Sequence, residues 1–170
     1  MIEGFEVTRC VAAMARDACE ELFEAYGVSL TPASKPQRGS RQHMLCGVIG
    51  FVGTGIRGSC TLLGHDAPIL ASCPEGGGCR DWIGELTNQL AGRMKAKFLA
   101  YGVEVQLSTP VGLSGVALRP LPRHDLEPAS YQAHGGDVVV WVEVESAPAF
   151  VMDRAETPAA HRSEGDIVLF

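Results

Sequence analysis

The sequence predicts an α+β fold: a mostly antiparallel sheet with two long amphipathic helices packed on one face. Two segments repeat apolar residues at three- and four-residue steps, which is the period of a helix with one buried side. Between and after them come short apolar runs bounded by glycine-rich turns, the pattern of hairpins rather than of helix–strand–helix crossovers.

The first helix is read from Val7, Cys10, Val11, Met14, Ala18, Leu22 and Tyr26, with Arg16, Asp17, Glu20, Glu21 and Glu24 on the opposite side. Gly27 is placed to end it. Residues 31–42, polar and rich in Pro and Ser, read as a flexible connection. The run HMLCGVIGFVG (43–53) and the run SCTLLG (59–64) flank GTGIRG and predict an antiparallel hairpin, with Gly53, Gly55 and Gly58 supplying unusual backbone angles. Ala67 to Cys73 is short enough for a small helix, which Pro74 and the glycines at 76–78 must stop. Asp81 to Tyr101 is the strongest helical segment, closed by Gly102. Three strands are expected after it: Val103–Thr109, Val111–Leu118 and Val138–Val144. The Pro-rich stretch at 119–136 between the last two reads as a surface loop, and residues 166–170 as an edge strand or an oligomer contact.

Length fits one domain spanning residues 1–170, with 146–170 as a C-terminal extension or oligomer contact. Apolar residues at 46% and charged residues at 20% exclude a wholly disordered chain. The net charge of −6, with no run of Lys or Arg, argues against a nucleic-acid partner. The beginning, MIEGFEVTRC, lacks the basic and apolar order of an export signal, and the apolar run Met44–Val52 is too short to span a bilayer, so a cytoplasmic protein with no membrane partner is expected. The six cysteines form no CxxC pair and read as small buried residues.

On a helical wheel of about 100° per residue starting at Trp82, the residues Trp82, Ile83, Leu86, Leu90, Ala91, Met94, Phe98 and Tyr101 fall in an arc centred at about 90°. Glu85 then lies at about 300° and Asn88 at about 240°, together opposite that arc and one turn apart. Gly92 follows one turn later on the same side, where glycine costs a helix about 1 kcal/mol against alanine and close approach of another surface would account for it. Exposed polar pairs on helices are mostly idle, so the pair gains meaning only from its setting.

That setting is DWIGELTN, in which Asp81, Glu85 and Asn88 are spaced as DxxxExxN, with Pro110 following at a strand junction. The pattern resembles the signature of the CheC, CheX and FliY phosphatases that act on phosphorylated CheY. The surrounding sequence from Gly84 to Gly115 is similar to the helix-to-strand core of CheX, and VIGFVGTGIRGSCTLLG to its preceding hairpin. The first helix carries no second ExxN, since Phe23 follows Glu20 and Glu24 follows Glu21 at the third place, which resembles CheX more than CheC or FliY and implies one active face per chain.

The resemblance implies a catalytic pair, Glu85 and Asn88, with no cofactor of the chain's own. It implies a partner, the phosphorylated CheY-like receiver domain, which brings its own Mg and a conserved lysine, and it implies a homodimer. Asn88 would hold the attacking water and Glu85 would dock on the receiver lysine. A neutral amide can donate and accept hydrogen bonds at once, and phosphoryl transfer through a loose transition state needs orientation more than a strong base. Two other readings stand beside it: a non-catalytic CheX-like module that binds receivers, and an unrelated α+β domain in which the motif is accidental. A metal or redox pair at Cys73 and Cys79 and a phosphate-cradling loop at GFVGTG are weaker, for want of tight ligand spacing and of a following lysine.

Overall fold

The computed structural model describes residues 3–34, 42–74, 79–119, 121 and 127–152. Its order is α1 (Glu3–Ala25), β1 (Thr31–Ala33), β2 (His43–Gly53), β3 (Ile56–His65), α2 (Asp66–Ala71), α3 (Cys79–Leu99), β4 (Val105–Leu107), β5 (Val111–Val116), β6 (Ala129–Ala133) and β7 (Gly136–Ser146). The strands form one sheet in the order β1-β6-β7-β3-β2-β4, with β5 also on β2, and every pairing is antiparallel. The expected α+β architecture is what the chain adopts.

Register decides which side of the sheet is buried. Ile49 pairs with Cys60 and Cys60 with Val142; Gly47 pairs with Leu62 and Leu62 with Val140. Side chains on paired residues share a face, so Leu45, Ile49, Phe51, Cys60, Leu62, Val138, Val140, Val142 and Val144 form a single apolar surface. The two long helices cover it, α1 chiefly against β7 and α3 against β2, and Val11, Ala18, Leu22, Leu86, Leu90 and Phe98 complete the core. The reverse face carries a smaller cluster of Met44, Cys46, Leu63 and Val139, with Val48, Leu118 and Trp141 packed on it.

Both long helices end the same way. Gly27 has φ of 73° and Gly102 of 68°. Val28 N–H donates to Phe23 O at 2.9 Å, and Val103 N–H to Phe98 O at 3.1 Å. A left-handed glycine with this six-to-one bond is the Schellman stop, which satisfies carbonyls that the helix leaves unpaired.

Several expectations are corrected. Residues 31–33 are not flexible connection but the short strand β1 on β6, and 129–133 are not surface loop but β6 itself. In the β2–β3 turn only Gly55, with φ of 77°, takes a left-handed angle. Gly53 and Gly58 lie in strands, where an added Cβ would fall 2.5 Å from Glu104 O and 2.6 Å from the Phe51 ring respectively, so they serve as space rather than as turns. The expected strand Val138–Val144 is part of β7, which has a neighbour on each side. Pro110 stands at the break between β4 and β5, which both pair with β2. Among the described residues no helix is long and apolar enough to cross a membrane. Residues 153–170, which include the expected final strand and most of the expected extension, lie outside those described.

Candidate functional site

The site is one face of α3, and the opposite face explains where it points. Trp82, Ile83, Leu86, Leu90, Ala91, Met94 and Phe98 are all buried, as the wheel requires, while Tyr101, the last residue of that arc, lies past the end of α3 and is half-buried. Thr87 is buried too, its hydroxyl turned back to donate to Ile83 O at 2.6 Å, a way for a polar side chain to lie against apolar neighbours without an empty donor. Beneath it is Gly47 of β2: a Cβ there would come within 2.8 Å of Thr87 Cβ and 3.1 Å of Ile83 O. Glycine at 47 therefore lets α3 settle directly on the sheet, which fixes the rotation of the helix about its axis.

With that rotation fixed, Glu85 and Asn88 are both exposed on an unbroken helix, three residues and so about one turn apart. Asp81 is exposed in the first turn, where a carboxylate is favoured by the helix dipole. Gly84 and Gly92 stand four residues before and after Asn88, and a Cβ built on either meets nothing within 4 Å. Two hollows elsewhere, one lined by Arg9, Arg16 and Trp141 and another by Gly50, Ser59 and Gln106, reach neither Glu85 nor Asn88.

The two polar side chains differ in their surroundings. Glu85 Oε1 accepts from Gln89 Nε2 at 3.0 Å, and Gln89 Oε1 accepts from the Tyr26 hydroxyl at 2.8 Å. Asn88 has no hydrogen-bond partner among the described residues, leaving its carboxamide open to an incoming group. The sequence placed Glu85 and Asn88 together on an exposed face, and the structure brings them there. From the sequence, Gln89 has no assigned role and Tyr26 only a place on the apolar face of the first helix; four-residue spacing from Glu85 signals Gln89, but nothing local signals a tyrosine 63 positions away.

Cys10 and Cys73 are half-buried rather than buried as expected, the side chain of Cys79 lies outside those described, and the buried thiols are poorly suited to chemistry. Cys19 and Cys60 are fully buried and burial pushes both thiols up, Cys60 to about 12, while Cys46 is raised for the same reason. A thiol held protonated is a poor nucleophile and a poor metal ligand. The described residues hold no cluster of three or more His, Cys, Asp or Glu able to bind a metal.

No protein-family model matches the chain and no curated protein matches its sequence. Solved structures do match. The chemotaxis protein CheX of Vibrio vulnificus superposes with a TM-score of 0.65 at 22% identity, covering 79% of this chain and 96% of that one. A CheC-like superfamily protein of Shewanella sp. PV-4 gives 0.64 at 22% identity over 78% and 95% of the two chains. The CheX–CheY complex with BeF3 and Mg from Borrelia burgdorferi gives 0.53 at 11% identity over 79% and 97%. The chain thus has the fold of the CheX/CheC-like chemotaxis proteins.

Proposed function

We propose that this protein is a phosphatase hydrolysing the aspartyl phosphate of a CheY-like response regulator, with Glu85 and Asn88 as its working residues. The observation that carries the reading is the pair itself: a carboxylate and a carboxamide, exposed one turn apart on α3, in the DxxxExxN spacing and in a fold shared with CheX. An exposed pair suits a reaction whose labile bond lies in the partner's pocket. The Borrelia burgdorferi protein of this fold has been seen with CheY, BeF3 and Mg together, which supports a receiver as the partner.

In this reading the receiver brings the phosphoaspartate, the divalent metal and a lysine, and the chain needs no cofactor of its own. Asn88 enters the receiver site and holds a water in line with the phosphorus, its carbonyl accepting from the water and its N–H donating to a phosphoryl oxygen. An aspartate there would repel those oxygens. Glu85 meets the receiver lysine and sets the docking register. Gly84 and Gly92 leave room on either side of Asn88 for the receiver surface.

The test is decay of a phosphorylated receiver with and without the protein. Wild type accelerates decay; Asn88→Ala loses the acceleration, by about a hundredfold or more if the amide orients the nucleophile, with an unchanged melting curve. Glu85→Ala mainly raises the receiver concentration needed. Equal acceleration by wild type and Asn88→Ala removes Asn88 from the mechanism. Binding of the phosphorylated receiver without faster decay favours the non-catalytic module instead.

A homodimer is part of the proposal, and β5 is the strand that supports it. It pairs only with β2 among the described strands, and Val111, Leu113 and Val116 are each more than half exposed. Apolar edge strands recruit a second strand unless something blunts them. Light scattering that gives the mass of one chain at micromolar concentration rejects the dimer.

A further inference from the structure

Glu85 is not a free carboxylate on a bare helix. Tyr26, directly after α1, donates its hydroxyl hydrogen to Gln89 Oε1 at 2.8 Å, and Gln89 Nε2 donates to Glu85 Oε1 at 3.0 Å. The polarity is forced. Reversing the Gln89 amide would set its carbonyl against the Glu85 carboxylate, acceptor facing acceptor. Tyr26 is itself held, its ring edge-on to Trp82 with centroids 5.2 Å apart and planes at 90°. The Trp82 indole N–H donates to Ser72 Oγ at 3.0 Å, and Ser72 donates to Ile69 O at 2.7 Å. The side chains that hold Glu85 are therefore anchored just after α1, at the end of α2 and in α3.

Tyr26 and Gln89 are only partly buried and lie at the rim of the core, so packing alone gives little reason for a glutamine here. What the arrangement does is restrict a long side chain. A glutamate loses rotamer freedom when it is fixed at an interface, and a carboxylate already held at one oxygen has lost much of it before the partner arrives. The other oxygen, Oε2, remains for the partner's cation.

We infer that Gln89 and Tyr26 are positioning residues for Glu85, a hydrogen-bonded relay that orders the carboxylate for docking on the receiver lysine; the inference rests on the docking role proposed above for Glu85. Gln89 touches neither receiver nor phosphate and acts only through Glu85.

The experiment is a receiver titration of stimulated phosphate release. Gln89→Leu raises the half-saturating receiver concentration about three- to tenfold, the range expected for one side chain that must be ordered on binding, with the maximal rate retained. Gln89→Glu, similar in shape but repelling Glu85, raises it at least as far. Tyr26→Phe, which keeps the ring against Trp82, moves it the same way by less. In a Glu85→Ala background Gln89→Leu adds nothing, because the residue it acts through is gone. A Gln89→Leu protein that matches an active wild type overturns the inference, as does an effect that persists undiminished in the Glu85→Ala background. A wild type that neither binds the phosphorylated receiver nor speeds its decay overturns the docking role of Glu85 and the inference with it. The relay also has a readout that needs no receiver: the side-chain amide resonances of Gln89 shift in both Glu85→Ala and Tyr26→Phe, and resonances unmoved in either variant show that the relay does not form.

Discussion

Gly92 stands where a helix would gain from almost any other residue. Glycine there costs about 1 kcal/mol against alanine, and the empty space around it means that a methyl group would clash with nothing in this chain. Gly92→Ala is therefore expected to stabilise the fold by about that amount and raise the melting midpoint by about 2–4 °C. It should at the same time weaken receiver docking, because the new methyl projects from the face that carries Asn88. A calorimetric scan and a receiver titration check the two halves separately; a more stable protein with unaltered docking would mean that no partner approaches this part of α3. At this scale the sequence was informative, since helical spacing alone put Glu85, Asn88 and Gly92 on one exposed side. It could not reveal the environment of each, because Tyr26 reaches Gln89 only after α1 and α3 have packed together.

Elements bring a different glycine into play. Gly47 is the seat of α3, and a Cβ at that position runs into Thr87 Cβ at 2.8 Å and the Ile83 carbonyl at 3.1 Å, neither of them a flexible chain end. Gly47→Ala must lift or rotate the helix, and overpacking of this kind typically costs about 1–3 kcal/mol. Its expected signature differs from that of Gly92→Ala in the sign of the stability change: lower denaturant resistance and, on the proposed function, loss of stimulated phosphate release, since Asn88 moves with the helix. Full stability in Gly47→Ala would show that α3 does not rest on β2 as described. Periodicity and the closing glycines at 27 and 102 made α1 and α3 legible, because a helix writes its buried face into its own sequence. The two strands that were missed had no such local mark. Thr31–Ala33 pairs through its backbone alone and includes a proline, and the alternation of buried Tyr131 and Ala133 with Gln132 follows a Pro-rich stretch that masked it. The signal for β6 was present in His134–Gly135, whose φ values of 48° and 74° make a tight hairpin turn into β7.

The whole molecule joins these pieces through a core in which ionisable groups are held neutral, and its stability should record that. Cys60 lies under both long helices in the centre of the sheet, and burial raises its thiol from 9.0 to about 12. Cys19 on α1 is raised chiefly by burial and further by the neighbouring Cys60 and Glu20. Tyr131 is raised chiefly by burial and further by donating to Glu20 at 2.8 Å. All three are uncharged when protonated, so a raised value in the fold means that the native state keeps its proton after the unfolded chain has released one. Above the unfolded values the native state therefore binds more protons than the unfolded state, and stability falls as pH rises. The stabilising contribution is complete below about pH 9 and is lost progressively up to about pH 12 for Cys60, with a slope of at most about 1.4 kcal/mol per pH unit for each thiol. Urea midpoints measured across that interval should drop steeply, and Cys60→Ala, whatever it costs at neutral pH, should make the drop shallower by one thiol's share. A midpoint constant from about pH 9 upward would mean that these groups are open to water, and that the helices do not close over the sheet face on which α3 and its exposed pair depend.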